Sequence, residues 1–440
     1  MRPIRLLVAL GWLMIVTGAL SGEVVPSPFP LRVSPDHRHL VTAAGDPLFI
    51  EGDAAWSLMA ELTREDTDLY LADRKRRGFN ALLVNLVEHR FSRDPPRNAY
   101  GDAPFGPKGA FREIGDAYFD HAAWVLERAE QEGFVVFLAP AYLGVGGGGE
   151  GWYRDVEAAG EDAMRAYGRA IATRFADRRN IVWVHGGDYD VPRGKESLVQ
   201  AVVDGIRSMS PEALHTVHGG RDSSPSQTWG SADWLGIDTV YTYDDAFGRI
   251  AAQSRADPPR PVLFIEGSYE NERDTTEEGV RRQAYAALLA GGAGQVFGNN
   301  PVWHFGSSGV FASDIPWMEA LASRGAQSIA NLATLVQELP WWTITAGANC
   351  SEVTAGAGAY VGCSPDGVLA LAYVYATESV LVDPTGAAGQ PLTYRWYDPS
   401  DGVWSGKAVA VAAGAAPQRI ATPAVLNAGG FPDWVLVVRR

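Results

Sequence analysis

The chain has 440 residues, of which 46% are hydrophobic, so it can bury a large core and is long enough for one barrel-sized unit plus a smaller domain. The formal net charge of −15 argues against nucleic acid and anionic membrane surfaces as default partners. The 14 Trp and 16 Tyr side chains are more informative, because flat apolar rings suit the faces of sugars.

Residues 1–21 have the pattern of a secretory signal peptide. Arg2 and Arg5 precede an apolar run over residues 6–20, and Ala19 and Ser21 supply small side chains at −3 and −1 of a cleavage site. A retained membrane anchor is the alternative, although the run is short for a span. We therefore expect a chain that is exported to the periplasm or the extracellular space and has no membrane attachment after cleavage.

From residue 39 onward, apolar runs with the length of buried strands alternate with helical segments. A short strand over 39–42 comes first. The eight strands that follow are predicted at 47–53, 79–87, 134–138, 181–184, 215–218, 237–241, 262–266 and 295–300. Helices are predicted at 63–77, 116–132, 161–175, 196–209, 276–290 and 317–337. This alternation predicts a (β/α)8 TIM barrel over residues 22–338.

The composition changes after residue 338. Short alternating runs rich in Gly, Thr, Val and Ala, such as 367–375 and 433–438, predict a small antiparallel β-sandwich over residues 339–440. No flexible spacer occurs at residues 337–342, so we expect the sandwich to pack on the barrel. Cys350 and Cys363 are the two cysteines of the chain, and they could form a disulfide in an exported protein or remain as buried free thiols.

Two of the predicted barrel strands end in a carboxylate. The strand at 181–184 is followed by His185, two glycines and Asp188, and the strand at 262–266 ends at Glu266. The carboxyl ends of barrel strands are where (β/α)8 enzymes place their catalytic groups. Two carboxylates at one barrel mouth suit a glycoside hydrolase, which needs an acid and a partner carboxylate flanking one bond. The alternative is that each acid caps a helix or pairs with an arginine.

The roles of the two carboxylates can be argued from their neighbours. A general acid must stay protonated near neutral pH, and Asp190 and Glu266 are candidate neighbours that would keep Asp188 protonated. The partner must be ionised, which requires donors such as His185, Tyr243 or Arg90 nearby. Glu270 is a second candidate for the nucleophile, with a charged residue at the start of a loop as its alternative.

Further polar and aromatic side chains lie at or just after predicted strand ends. Aromatic rings there can stack on sugars, and Asp, Glu, His and Asn can bind hydroxyl groups, although each could instead serve packing or capping. The residues predicted to bind substrate are Asp53, Trp56, His89, Tyr142, His185, His218, Tyr243, Glu270, Asn299 and Trp303. The glycine-rich segment 144–151 is predicted to form a loop over the barrel mouth.

Four motifs, at residues 51–56, 77–80, 183–188 and 266–270, resemble the apiosidase-like glycoside hydrolases. That family is a TIM barrel often followed by a β-sandwich named as a collagen-binding domain, which residues 394–399 and 433–437 resemble. The resemblance implies that Asp188 is the acid/base and Glu266 the nucleophile of an enzyme that takes a carbohydrate substrate. A retaining mechanism is expected, and the separation of the two carboxylates decides between retention and inversion. Two departures occur: Ile265-Glu266-Gly267 replaces the usual Gly-Glu-Pro, and His185 replaces an apolar residue.

Two other classes of protein remain as alternatives. A metal-dependent TIM-barrel hydrolase could use His89, His185, His218 and Asp188 as ligands. The first strand, however, ends without a His-x-His motif, and the eight histidines have no tight ligand spacing, so we expect no metal and no cofactor. A carbohydrate-binding barrel without catalytic activity is the second alternative, and the presence of both carboxylates argues against it.

Overall fold

The computed structural model describes residues 27–306, 312–347, 350–385 and 391–440, so the predicted signal peptide lies outside the described residues. The chain first forms a three-stranded antiparallel sheet from Arg32–Val33, Leu40–Val41 and Pro47–Leu48. The strand predicted at 47–53 is therefore divided, with its first part in this small sheet. Leu31 and Leu40 pack into the interior core of the barrel, and the small sheet is thereby fixed to it.

Eight parallel strands form the barrel expected from the sequence. They are β1 (Ile50–Ala54), β2 (Ala81–Asn85), β3 (Val135–Ala139), β4 (Ile181–Gly186), β5 (Leu214–His218), β6 (Asp238–Tyr241), β7 (Val262–Glu266) and β8 (Gly294–Phe297). The order in the sheet is β5-β4-β3-β2-β1-β8-β7-β6. A bridge between His215 of β5 and Leu235, just before β6, brings the two ends together, so the barrel is nearly closed.

Side chains alternate between the barrel interior and the surrounding helices, as the period of two in a strand requires. In β1, Ala54 belongs to the interior core, whereas Asp53 faces the helices. In β4, Val184 belongs to the interior core, whereas Trp183 packs in the outer core between sheet and helices. This alternation decides which residues near a strand end can reach the barrel mouth.

The helices surround the sheet. They are α1 (Leu58–Glu61), α2 (Arg64–Arg76), α3 (Asp116–Glu132), α4 (Tyr153–Ala159), α5 (Glu161–Arg174), α6 (Glu196–Arg207), α7 (Pro225–Trp229), α8 (Ala246–Gln253), α9 (Glu277–Leu289), α10 (Trp317–Ala320) and α11 (Arg324–Gln337). Short 3-10 turns occur at Val145–Gly147, Val302–His304 and Trp341–Thr343. Among the described residues, none of these helices has the length and apolar content needed to cross a bilayer.

The helix predicted at 317–337 is divided into α10 and α11, because the helical structure is interrupted between Ala320 and Arg324. Ser323 caps α11 by accepting a hydrogen bond from the Ala326 N–H, which is a typical helix start. Thr63 caps α2 in the same way, since its side chain accepts a hydrogen bond from the Asp66 N–H.

The C-terminal region is the expected antiparallel β-structure, with one sheet of six strands and one of three. Its strands are β9 (Thr345–Ala346), β10 (Val353–Ala355), β11 (Ala359–Cys363), β12 (Leu369–Val374), β13 (Ser379–Val382), β14 (Leu392–Asp398), β15 (Val403–Val411), β16 (Gln418–Ala421) and β17 (Trp434–Arg439). The sheet orders are β9-β11-β12-β17-β14-β15 and β10-β13-β16. A disulfide joins Cys350 to Cys363 with their Cα atoms 5.7 Å apart, so of the two alternatives the bridge is the one formed.

The sandwich packs firmly on the barrel, as the absence of a spacer predicts. Arg281 of α9 and Asp433 form a fully buried bidentate ion pair, in which both N–O distances are 2.8 Å. Tyr373 donates a hydrogen bond to Asp433 at 2.7 Å, and its ring stacks on Tyr285 of α9 with centroids 4.9 Å apart. Leu371 and other residues of the six-stranded sheet belong to the same hydrophobic core as the barrel helices. The two regions therefore share one interior.

Glu51 is a buried acid of β1 whose ionisation should destabilise the fold. Burial raises the pKa of Glu51 from 4.5 to about 8, although a hydrogen bond from Gln295 opposes the rise. Because the folded state binds this proton more tightly than the unfolded state, stability should fall as the pH rises from about 4.5 to 8. Glu51→Gln should therefore raise the free energy of unfolding at pH 7 by up to about 3 kcal/mol.

Thermal unfolding at pH 5 and pH 8 checks this expectation. The difference between Glu51→Gln and the unchanged protein should be large at pH 8 and small at pH 5. The exposed Glu161→Gln serves as the control and should shift the melting temperature at neither pH. Equal stability of Glu51→Gln and the unchanged protein at both pH values would contradict the argument.

Candidate active site

A cavity of about 640 Å³ lies at the carboxyl ends of the barrel strands. Asp188 and Glu266 both line it, and so do the predicted residues Trp56, Tyr142, Tyr243 and Trp303. Val145 and Glu150, from the glycine-rich segment 144–151, also line the cavity, so this segment lies over the barrel mouth as predicted. The volume is typical of a small-molecule site.

A turn of unusual backbone geometry places Asp188 in the cavity. Gly186, Gly187 and Asp188 have φ values of 89°, 100° and 54°, a left-handed conformation that glycine adopts without strain. A Cβ atom at Gly187 would lie 2.5 Å from the ring of Tyr142, so a larger residue cannot replace it without displacing that ring. The Tyr142 hydroxyl donates to Asp188 Oδ2 at 2.8 Å, and Oδ1 is buried without a hydrogen-bond partner among the described residues.

A β-bulge places Glu266 in the same cavity. Strict alternation along β7 would put Glu266 on the side of Phe264, which packs in a core between sheet and helices. The pairing of β7 with β6 shifts register between Phe264 and Glu266, and bulges of this kind re-aim a side chain. The carboxylate is nearly buried, with 8% of the residue exposed, and it lies beside His218.

His218 bridges the backbone at Asp188 and the carboxylate of Glu266. Its Nε2 lies 2.7 Å from Glu266 Oε2, and its Nδ1 lies 3.2 Å from both the Asp188 N–H nitrogen and the Gly219 carbonyl oxygen. The neutral ring can accept from Asp188 at Nδ1, and the protonated ring can donate there to Gly219. In both forms Nε2–H donates to Glu266. Burial by itself lowers the pKa of His218, but the hydrogen bond and charge of Glu266 outweigh it and raise the pKa.

The two carboxylates are close enough to act on one bond. One oxygen of Asp188, one oxygen of Glu266 and one ring nitrogen of His218 all lie within 4.8 Å of one another. Burial and the nearby charge of Asp188 raise the pKa of Glu266 to about 7, and the hydrogen bond from His218 opposes this rise. Like charges at this distance cannot both ionise freely, so the pair favours holding one proton near neutral pH.

Aromatic side chains of the cavity are held in place by hydrogen bonds. The Trp56 ring nitrogen donates to the Tyr269 hydroxyl at 2.9 Å, and the Trp303 ring nitrogen donates to Glu272 at 2.7 Å. The hydroxyl of Tyr243 lies 2.9 Å from that of Tyr241. Trp56 and Trp303 are only 6% and 5% exposed, so these rings form a rigid apolar wall beside the two carboxylates.

Arginine side chains also line the cavity, although the chain carries a net negative charge. Arg273 and Arg221 lie over the ring of Tyr243, with guanidinium-to-centroid distances of 4.8 and 5.4 Å. Arg90 lines the opposite part of the cavity. Guanidinium groups are rigid forks of hydrogen-bond donors, which suits ligands rich in oxygen acceptors.

Asp53 and His185 do not reach the cavity, contrary to expectation. Both occupy outward positions of their strands, by the alternation described above. The Asp53 carboxylate is fully buried and accepts hydrogen bonds from Arg74 and Tyr70 at 2.6 Å, which ties β1 to α2. His185 is buried against His215, with ring nitrogens 2.9 Å apart. These buried contacts indicate that both residues have structural roles.

Glu270 and Asn299 also lie outside the cavity and bind each other. Glu270 accepts hydrogen bonds from the Asn299 amide at 2.8 Å, from the Ser323 hydroxyl at 2.6 Å and from the Gly325 N–H at 2.8 Å. These contacts fasten the loop after β7 to the start of α11. His89 packs its ring against the edge of Trp152, with centroids 4.6 Å apart, and does not line the cavity.

Several cavity residues were not predicted from the sequence. Asn85 and Tyr241 end β2 and β6 at inward positions, so the alternation within their strands was a signal that could have found them. Tyr269 and Glu272 follow Glu266 in the loop after β7, and their placement depends on the course of that loop. No local pattern marks them.

The comparisons with known proteins agree with this geometry. Residues 34–343 match the family described as "Apiosidase-like, catalytic domain", and residues 356–439 match "Putative collagen-binding domain of a collagenase". A solved structure named "Glycoside hydrolase" is 23% identical, with a TM-score of 0.81 over 94% of this chain and 97% of that one. A glycoside hydrolase family 5 structure from Bacteroides vulgatus ATCC 8482 is 22% identical, with a TM-score of 0.79 over 93% of each chain. No curated protein was found to match the sequence. The family match spans well over half of the chain, which therefore belongs to the apiosidase-like glycoside hydrolases.

Proposed function

We propose that this protein is a retaining glycoside hydrolase that cleaves an O-glycosidic bond in an oligosaccharide or polysaccharide. The observation that carries the proposal is the pair Asp188 and Glu266, which offer oxygen atoms within 4.8 Å of each other at the barrel mouth. Retaining enzymes separate their carboxyl groups by about 5–5.5 Å, whereas inverting enzymes need about 6.5–9.5 Å to admit a water molecule. The nearest oxygen atoms of the pair lie closer than either separation, which favours the shorter, retaining arrangement and direct attack by one carboxylate.

Asp188 serves as the acid/base and Glu266 as the nucleophile in this proposal. Asp188 gives its proton to the leaving glycosidic oxygen while a Glu266 oxygen bonds to the anomeric carbon and the C–O bond to the leaving group breaks. Asp188, now ionised, takes a proton from water as that water displaces Glu266 from the anomeric carbon. The second step releases the sugar and restores both groups.

The hydrogen bonds around the pair support this division of roles. His218 donates Nε2–H to Glu266 in either protonation state, which stabilises Glu266 as the ionised nucleophile and as the leaving carboxylate of the second step. The Tyr142 hydroxyl donates a hydrogen bond to Asp188 Oδ2 and thereby fixes the orientation of the acid. The raised pKa of Glu266 favours the shared proton on Glu266 in the enzyme without substrate, so this mechanism requires that proton to pass to Asp188 when the substrate binds.

The aromatic and cationic lining supports a carbohydrate as substrate. Trp56 and Trp303 are fixed by hydrogen bonds and present apolar surface, and the arginine side chains donate to sugar oxygen atoms. We also propose that the enzyme acts outside the cytoplasm. The pattern of residues 1–21 and the bridge between Cys350 and Cys363 both support export, because disulfides persist in oxidising compartments.

A screen of the enzyme against plant and microbial polysaccharides tests the proposal. Released sugars should be identified, and the anomeric configuration of the first product should match that of the substrate when it is followed by NMR. A first product of opposite configuration would overturn the retaining mechanism. Absence of any released sugar across the screen would count against hydrolase activity itself.

A metal-dependent hydrolase is the second candidate, because Asp188, His218 and Glu266 are close enough together to hold an ion. The histidines of the sequence have no tight ligand spacing, which favours the carboxylate mechanism over this one. We therefore expect the activity to survive EDTA. Complete inactivation by EDTA, restored by zinc or manganese, would favour the metal enzyme; restoration by calcium alone would be compatible with either.

His218 should act as a positioning residue for Glu266, with an effect on the pH profile. Removing the donor in His218→Phe should raise the pKa of Glu266, and the acid limb of kcat/KM should move to higher pH by about one unit or more. His218→Gln retains an N–H donor without a charge and should show a smaller shift. A purely packing role predicts lower activity for both variants with the acid limb in its original place.

A further inference from the structure

A second cavity of about 230 Å³ adjoins the catalytic cavity and extends to the C-terminal sandwich. The two cavities share Tyr243, Ser268 and Thr275 as lining residues, so they lie side by side. We call this second cavity the distal groove. Its walls come from the loops after β6 and β7, from the first turns of α9, and from Tyr360 on strand β11 of the sandwich.

The walls of the distal groove carry unused polar groups. Asp244 and Asp274 line it and are exposed, and their carboxylates make no hydrogen bond or ion pair within the described part of the chain. Arg282 also lines the groove, with its guanidinium over the ring of Tyr375, 5.2 Å from the centroid, and its Nε 3.7 Å from the carboxylate of Glu278. Free carboxylate acceptors and a held guanidinium in one groove suit a neutral ligand that both donates and accepts many hydrogen bonds, as a saccharide does.

Tyr360, which the sandwich contributes to the groove, is held in a fixed position. The Tyr360 ring stacks on Phe247 of α8, with centroids 4.9 Å apart and planes 6° apart. The fully buried ion pair of Arg281 and Asp433 secures the whole sandwich to the barrel a short way along α9. Separating the sandwich from the barrel would break this buried ion pair, which is costly, so the pair favours the docked arrangement. The groove therefore has a preformed shape.

We propose that the distal groove is a saccharide subsite, built jointly by barrel and sandwich, that binds sugar units of the substrate away from the cleaved bond. The proposal rests on the glycoside hydrolase function proposed above and narrows its substrate to chains long enough to occupy both cavities. It also gives the C-terminal sandwich a role in the reaction, because Tyr360 completes the groove. Binding energy gained there would act on natural oligosaccharides and leave small aryl glycosides unaffected.

Binding to a catalytically silent enzyme tests the subsite without requiring turnover. Glu266→Gln is probed with an array of plant and microbial oligosaccharides that runs from single sugars to longer fragments. Asp244→Trp, added to this variant, should fill the groove from an exposed position. The ratio of long-fragment to short-fragment affinity should fall about tenfold, the loss expected for a few sugar contacts. Tyr360→Ala should lower the same ratio.

Matched variants separate the possible results. Asp177→Trp introduces the same side chain at an exposed aspartate on the loop before β4, at the opposite end of the barrel, and should leave the ratio unchanged. An unchanged ratio in Asp244→Trp, or equal affinity of Glu266→Gln for long and short fragments, overturns the subsite alone. Failure of Glu266→Gln to bind any saccharide overturns the proposed function and the subsite together.

Discussion

Glu266→Ala should abolish turnover of every glycoside, including aryl glycosides with excellent leaving groups. The reason is that no glycosyl-enzyme can form without the attacking carboxylate, whatever the leaving group. We expect kcat/KM to fall by at least about 10⁴-fold, as when a catalytic nucleophile is removed from other enzymes. Hydrolysis rates on an activated aryl glycoside and on a natural linkage measure the effect, and thermal unfolding shows whether the variant is folded.

Azide provides a sharper diagnosis of the same variant. A small anion can occupy the space left by Glu266→Ala and attack the anomeric carbon directly, giving a glycosyl azide of inverted configuration. Glu270→Gln is the matched control, because Glu270 is buried outside the cavity and binds Asn299 and Ser323. If Glu266→Ala keeps near-normal activity while Glu270→Gln loses it, the nucleophile has been misassigned.

Asp188→Ala should show a strong dependence on the leaving group. Natural linkages need protonation of the departing oxygen, so their hydrolysis should slow by about 10²–10⁴-fold, the usual contribution of general acid–base catalysis. Activated aryl glycosides depart without protonation and should be spared in the first step. Azide should restore activity by attacking the glycosyl-enzyme and should give a product of retained configuration, opposite to that from Glu266→Ala.

A neighbouring carboxylate controls this second expectation. Asp190→Ala changes an exposed carboxylate two residues away that does not line the cavity, and it should hydrolyse natural linkages at close to the unchanged rate. Equal slowing of activated and natural substrates by Asp188→Ala would show that Asp188 is not the acid.

Much of the architecture followed from local pattern alone. Apolar runs of strand length between amphipathic segments predicted the barrel, and the change to short alternating runs predicted the antiparallel region. Both are periodicities of the chain itself, since burial on both faces or on one face fixes which residues a strand must contain. The sequence also indicated Asp188 and Glu266, because both come at the carboxyl end of a buried strand, where (β/α)8 enzymes place their catalytic groups.

The alternation of inward and outward side chains along each strand explains residues that the predictions misplaced. Asp53 and His185 lie one residue out of phase with the interior side chains of their strands, which explains why both face the helices. His218 lies in phase and reaches Glu266. For β7 the same rule fails, because the bulge between Phe264 and Glu266 changes the phase at the last residue.

The contacts that organise the site were decided only by the tertiary structure. The hydrogen bond from His218 to Glu266 joins residues 48 positions apart, and Glu270 is held by Ser323 from 53 positions away. No local pattern encodes such pairs, because they depend on which strand ends become neighbours when the barrel closes. The sequence by itself determined the two catalytic candidates, and barrel closure decided their separation, their shared proton and the residues that position them.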